Sequence, residues 1–311
     1  MFTLQRNISL ASLSTFHIGG KANYFTKVTG ALELASAIEY GEQNNLPIFI
    51  FSGGSNVLFS DRGFPGLVIR IEDGGIKIDK QKIFCGAGVT LLDVVHTSCE
   101  NNLAGMEKMA GIPGSLGGAI RGNAGAFGTE IGSVVHSVKA YARDTGMLKE
   151  YSQKMCEFGY RTSIFKKHPN LIIISAELIL EPGEKSILQK IASDTMVLRE
   201  SKHSQKAMCA GSFFMNPLVK DEKLLAEFVK DTGNVSKDGK LPAGWLIDYV
   251  GLRGKQIGGA MVSKQHPNYL VNTGTATAED VVMLASLIKT RVRDELGIRL
   301  REEVQYVGLD Q

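Results

Sequence analysis

Nine glycines fall between positions 105 and 132: Gly105, Gly111, Gly114, Gly117, Gly118, Gly122, Gly125, Gly128 and Gly132. No other feature of the chain restricts its folding as much. Each glycine costs backbone entropy and buries no side chain, so the run is expected to be neither regular helix nor strand. Flexible linkers are polar and Gly/Ser-rich, whereas here Ile112, Pro113, Leu116, Ile120, Asn123 and Phe127 are interleaved. The expectation is therefore an ordered loop pressed against something. Glycine lets several backbone N–H groups converge on a phosphate or a planar ring, which makes the stretch a candidate ligand cradle. A tightly packed structural turn is the alternative. The excess is chain-wide, 35 glycines where ordinary usage gives roughly 22.

At 311 residues the chain exceeds what one hydrophobic core usually supports, so two or three domains are expected. Hydrophobic content of 43% and charged content of 22% are ordinary for a globular cytoplasmic protein. A net charge of +3 is too small to argue for nucleic acid, and no basic run interleaves with aromatics. No apolar stretch reaches the length of a membrane span, and the N-terminus lacks the pattern of a signal peptide. Cys85, Cys99, Cys156 and Cys209 form no CxxC pair, so reduced, partly buried thiols are expected rather than a metal site. The six histidines show no pair at metal-ligand spacing either.

The rest of the chain alternates helix and strand. Ala31 to Asn45 reads as a helix ended before Pro47, and Ile48 to Phe51 as a short buried strand. That strand runs into Ser52-Gly53-Gly54-Ser55-Asn56, which suits either amides presented to a pyrophosphate or a plain turn. Leu67 to Ile71 and Lys82 to Cys85 continue the strands, with a helix near Thr90 to Asn102. Val134 to Ala142 and Leu171 to Leu180 are further strands, and Pro182-Gly183 is a candidate boundary. Helices are expected over Ile187 to Glu200, Asp221 to Lys230 and Trp245 to Val250, and a strand over Tyr269 to Asn272. Thr277-Ala278-Glu279-Asp280 reads as a capping box opening a helix that Gly297 closes. A terminal strand is expected from Ile298 to Val307. There Glu303 shares a face with Arg299, Arg301 and Gln305, while Glu302 falls awkwardly in the apolar phase unless a bulge intervenes.

The common chemical motifs are missing. Gly86-Ala87-Gly88 begins a dinucleotide fingerprint, but position 91 is Leu rather than the third glycine. No phosphate-binding G-x-x-x-x-G-K-[ST] exists. Ser115 is no nucleophile elbow, because the required glycine at 113 is Pro113. Three polar clusters remain. Arg161, beside Tyr160, Thr162 and Ser163, suits a carboxylate clamp or a solvated arginine before a strand. Ser212 in Gly211-Ser-Phe-Phe-Met-Asn-Pro217 would be desolvated by its bulky neighbours, or would simply bond backbone. Glu303 and Glu302 are not separable on residue pattern alone.

Taken in order, these segments resemble the UDP-N-acetylenolpyruvoylglucosamine reductase family. Ser52 to Ile69 resembles its first flavin loop and Gly111 to Gly128 its second. The match continues through Tyr160-Arg161, Gly211 to Pro217, Pro242-Ala-Gly-Trp-Leu-Ile-Asp248, Ile257-Gly-Gly-Ala260 and Ala276 to Val281. The resemblance implies an α+β, PCMH-type FAD-binding fold shared with vanillyl-alcohol-oxidase relatives. Its two α/β subdomains would occupy 1–70 and 71–195, with an α/β substrate domain at 196–297. A C-terminal strand, 298–311, would return toward the flavin site. The short gap from Arg161 to Ser212 is similar to the compact type that lacks an inserted loop bearing a substrate-contacting tyrosine.

The resemblance also implies non-covalent FAD, NADPH as co-substrate and the enolpyruvyl ether of UDP-N-acetylglucosamine as substrate, in peptidoglycan precursor synthesis in the cytoplasm. It assigns cofactor binding to Ser52, Gly53, Gly54, Ser55, Asn56, Gly111, Ile112, Pro113, Gly114, Ser115, Gly117, Gly118, Asn123, Ala124 and Gly125. Catalysis falls to Arg161, Ser212 and Glu303, and substrate contact to Tyr160, Lys202 and Asn216. No metal, nucleic acid or membrane is implied, and a monomer is compatible. Met215 departs from relatives, which often carry Lys or Arg there. Two rivals, a sugar or hydroxy-acid oxidase of the same superfamily and a non-catalytic flavin module, sit badly with the match after Gly211 and the retained Arg161, Ser212 and Glu303.

Overall fold

A computed structural model describes residues 2–72, 74–202, 207–236 and 238–309, the Lys202 side chain excepted. Its contacts divide the chain into two units. The first is Met1–Ile8, Ala22–Gly54 and Pro65–Ser201; the second is Ser9–Lys21, Ser55–Phe64 and Lys202–Gln311.

The first unit holds two large sheets and two short two-stranded ones. One has four strands in the order Gln5–Ser9, Lys21–Val28, Phe64–Ile71, Ile48–Phe51. Ile48–Phe51 and Phe64–Ile71 pair in parallel, Ile50 opposite Ile69. Parallel neighbours need a crossover, and the Ser52–Gly54 turn opens it at the carboxyl end of Ile48–Phe51. Crevices outside such strand ends are where α/β sheets place ligands. The second sheet is antiparallel, ordered Met147–Ser152, Val135–Ala142, Leu171–Ile179, Lys82–Gly86, Ile76–Asp79. One apolar core joins Leu67 and Ile69 of the first sheet to Ile83 and Val138 of the second, with Leu34 and Val94 from the helices Ala31–Gln43 and Leu91–Glu100.

The second unit is built around the helices Glu222–Thr232, Ala243–Tyr249 and Ala278–Leu296 and a small antiparallel sheet, Gln256–Ile257, Ala260–Val262 and Leu270–Asn272. Val57–Phe59 pairs in parallel with Gln305–Val307. Phe16, Leu58, Phe213, Phe214, Leu284 and Ile288 share its core. The capping box is present, Thr277 accepting from the Asp280 N–H and Asp280 from the Thr277 N–H, and Gly297 closes the helix at φ +68°.

Two expectations are corrected. The glycine run does contain a regular helix, Leu116–Gly122. A Cβ on Gly117 would lie 2.9 Å from the Ala87 Cβ and 3.0 Å from the Ala87 carbonyl oxygen. The helix approaches Ala87 so closely that its glycine serves packing, and tertiary contact overrides propensity. The terminal strand is only Gln305–Val307. Upstream, residues 301–303 bond instead to the 213–215 segment, Met215 N–H to Arg301 O at 2.9 Å and Glu303 N–H to Phe213 O at 2.8 Å. Glu302 does lie in the inward phase without a bulge. Lys289 Nζ meets its carboxylate at 2.5 Å, and the Tyr306 hydroxyl is pushed up in pKa by burial and by Glu302.

Candidate active site

In the first unit the two flavin-loop candidates touch backbone to backbone. A Cβ on Gly53 would sit 2.8 Å from Gly114 Cα and 2.9 Å from Ser115 N. Gly54 turns at φ +66° and Gly114 at φ +109°, conformations that glycine adopts without strain. Ser52 Oγ donates to Ile71 O at 2.8 Å, fixing the turn to the parallel sheet. Gly111 O accepts from Arg199 Nε at 3.1 Å, and Ile112 packs on the core. Residues 114–117 are stitched alongside 87–91. Leu91 N–H donates to Gly114 O, Leu116 N–H to Val89 O and Gly117 N–H to Ala87 O.

Ser115 caps the Leu116–Gly122 helix, its Oγ accepting from Gly118 N–H at 3.3 Å. That helix ends at Asn123 in the left-handed region. Ala124 N–H donates to Ala119 O, and Gly125 pairs with Glu130 in a short hairpin. Asn123 is 1% exposed. Its Nδ2 donates to Glu130 Oε2 at 2.8 Å and Gly159 O at 3.0 Å, and its Oδ1 accepts from Gly132 N–H at 3.0 Å. Both amide donors are thus engaged within the protein, so the side chain holds the loop. Arg161 tips a turn closed by mutual Gly159–Thr162 backbone bonds, with its guanidinium 5.8 Å from the Tyr160 ring centre.

In the second unit, Ser212 and Glu303 lie on adjoining segments. Phe213 N–H donates to Asn268 O, Phe214 N–H to Asn268 Oδ1 and Asn268 Nδ2 to Phe214 O, at 2.7–2.9 Å. With Phe213 O accepting from Glu303 N–H, one buried asparagine and one strand-like bond set the positions of both segments. Ser212 is half-buried, and among the described residues its hydroxyl has no hydrogen-bond partner. Asn56 acts here too, its Nδ2 donating to Glu303 O at 3.0 Å while its own carbonyl accepts from Gln305 N–H. Asn216 Oδ1 accepts from Ala243 N–H at 3.0 Å, capping a helix whose own cap, Pro242, offers no side-chain acceptor. Lys202 ends the helix Lys185–Lys202, and its side chain lies outside the described residues.

Sequence reading missed Asn268, Glu130 and Ser163 as braces. Their partners stand 54, 7 and 42 positions away, so no local pattern marks them. All four cysteines are buried thiols outside any disulfide, and burial pushes the Cys156 thiol up to about 11. Among the described residues no cluster of His, Cys, Asp and Glu could hold a metal, and no helix is long and apolar enough to cross a membrane.

A strand-end turn meets the loop ahead of the glycine helix through bare backbone, beside an α+β two-sheet core, and the family comparison makes the chain an FAD-binding protein. The family model described as FAD binding domain matches residues 22–152, and that for the UDP-N-acetylenolpyruvoylglucosamine reductase C-terminal domain matches 203–307. A curated reductase of that name from Solibacter usitatus is 36% identical, over 96% of this chain and 95% of its own. One from Chlamydia abortus is 35% identical over 98% and 95%. The crystal structure of the reductase from Thermus caldophilus superposes with a TM-score of 0.78 at 29% identity, covering 99% of this chain and 100% of the other. The chain belongs to the UDP-N-acetylenolpyruvoylglucosamine reductase family.

Proposed function

We propose that this protein reduces the enolpyruvyl ether of UDP-N-acetylglucosamine to UDP-N-acetylmuramate, with non-covalent FAD and NADPH, as a step of peptidoglycan precursor synthesis. The observation that carries this is the family match along both halves of the chain. FAD suits the cradle because Gly53 lets the two loops meet backbone to backbone, where a Cβ would collide with Gly114 and Ser115. Gly114 turns at φ +109°, so that amides of both loops lie close together. Ser52 to Asn56, Gly111 to Gly118, Ala124 and Gly125 would hold it. When bound, FAD supplies the two-electron chemistry, taking hydride from NADPH and passing it to the sugar nucleotide, that no side chain here can perform.

The side chains handle charge and proton. Hydride addition at the terminal methylene carbon leaves negative charge on the neighbouring carbon, delocalised into the carboxylate. Arg161 stabilises that charge as it develops, which a planar, permanently charged fork does well. Ser212 donates its hydroxyl proton to the carbanionic carbon. Its half-buried place next to Phe213, whose carbonyl accepts from Glu303 N–H, supports this. A serine hydroxyl is a weak acid, so it needs orientation and proton replacement, and Glu303, held at both N–H and C=O, orients it or acts as acid. Tyr160, Lys202 and Asn216 contact the substrate.

The test is NADPH oxidation dependent on the enolpyruvyl sugar nucleotide by the yellow, purified protein. Ser212→Ala is expected to leave flavin bleaching by NADPH near normal while slowing flavin reoxidation by substrate about 10²–10⁴-fold. Equal loss in both half-reactions would remove the proton-donor role. Flavin that bleaches normally in wild type but never reoxidises with this substrate would sink the whole reading.

A further inference from the structure

Arg161 adopts φ +56°, the left-handed region that a bulky side chain enters at a steric penalty. A residue keeps such a conformation only when its surroundings over-determine it, and here they can be named. Gly159 and Thr162 exchange two backbone bonds of 3.1 Å across the Tyr160-Arg161 tip. Lys166 Nζ donates to Arg161 O at 2.9 Å. Both flanks of the turn are then clipped to the end of the Leu116–Gly122 helix. Asn123 Nδ2 reaches Gly159 O on one side, and Ser163 Oγ donates to Arg121 O at 2.7 Å on the other. Asn123 and Ser163 are both buried, so water cannot replace either bond. Asn123 is itself left-handed, at φ 45° and ψ 57°, and Glu130 and Gly132 fix its amide.

We propose that Asn123, seconded by Ser163, is a positioning residue for Arg161, locking the guanidinium-bearing turn to the glycine helix of the cofactor cradle. Asn123 thus acts on the substrate's developing charge through Arg161, and not on FAD. This rests on the role given to Arg161 above.

The test uses the FAD-loaded protein. Asn123→Gly keeps the left-handed backbone and removes all three side-chain bonds. Flavin reoxidation by the enolpyruvyl substrate should slow by roughly 30–100-fold, since displacement of a charge-stabilising group by about 1 Å has that effect. Flavin bleaching by NADPH should change less than about threefold. So should the FAD Kd, read by fluorescence titration of the apoprotein. Ser163→Ala should act in the same direction. The decisive readout is the double-mutant cycle. In an Arg161→Ala background, Asn123→Gly should slow reoxidation by less than about twofold further, because there is no guanidinium left to position.

A merely structural role would carry its full factor into that background, and such additivity overturns the proposal. A tenfold weaker FAD Kd with reoxidation unchanged overturns it as well and returns Asn123 to cofactor binding. If Arg161→Ala alone leaves reoxidation intact, the assigned role of Arg161 falls and this proposal with it, an outcome distinct from the additive one. Should Asn123→Gly not fold, Ser163→Ala and its cycle with Arg161→Ala decide the question on the same criteria.

Discussion

Gly53 and Gly122 show how differently two glycines of the proposed cofactor cradle behave. A methyl on Gly53 would be driven into Gly114 Cα and Ser115 N, backbone atoms that cannot rotate away. Relief requires the two loops to part, which separates the amides they bring together. Gly53→Ala is therefore expected to weaken FAD binding at least about tenfold, the equivalent of 1.4 kcal/mol, in a fluorescence titration. At Gly122 a Cβ meets nothing within 4 Å, and the residue closes a helix. Gly122→Ala should raise stability by roughly 0.5 kcal/mol and leave FAD affinity unchanged. An equal loss from both substitutions would mean that loop flexibility, not close approach, is what the glycines provide. The glycine excess was legible from composition, but not this division of labour, because it depends on which backbone lies opposite each residue. The braces Asn123 and Asn268 were hidden for the same reason, their bonds to Gly159 and Phe214 spanning 36 and 54 residues.

Among the elements, the Ala278–Leu296 helix was read most fully in advance, since its stop and start signals are local. Its capping box and closing Gly297 are present as expected. What the chain order could not reveal is that Asp280 does a second task, accepting from Gly259 N–H at 3.0 Å while Asp61 accepts from Ala278 N–H at 2.7 Å. The backbone bonds from Thr277 and Gly259 hold the Asp280 carboxyl below its ordinary value. A depressed carboxyl stabilises the fold above the unfolded-state pKa, and that contribution fades as pH falls through the lower, folded value. Asp280→Ala is expected to cost about 1–2 kcal/mol at pH 7 in denaturant unfolding. The gap from wild type should narrow below pH 4; a gap that stays constant down to pH 2 would show that the carboxylate's charge is not involved. The terminal segment was misread in length for a complementary reason. Its alternation is real, Leu300 and Val304 being buried, but alternation cannot tell whether a neighbouring strand continues. Here irregular residues 213–215 take the place of a strand.

At the scale of the whole molecule, neither unit is a continuous stretch of chain. The path changes unit after residues 8, 21, 54, 64 and 201, so the second core is assembled from three separated segments. A boundary near 196, which the family resemblance implies, would isolate the last segment from the two short ones. Those supply Phe16, Ile18 and Leu58, each at most 2% exposed. Burying each contributes about 1.5–3 kcal/mol, against a total stability of roughly 5–15 kcal/mol for a domain. They also supply the Val57–Phe59 strand that pairs with Gln305–Val307, the Asp61 acceptor at the Ala278 N–H, and Asn56, which ties down Glu303. A fragment of residues 202–311 is therefore expected to lack a cooperative thermal transition by circular dichroism, although it contains all of the matched C-terminal family domain. The full chain should melt cooperatively under the same conditions. A sharp melt from the fragment would mean that its helices and small sheet suffice as a core, and that residues 9–21 and 55–64 serve the placement of Glu303 alone.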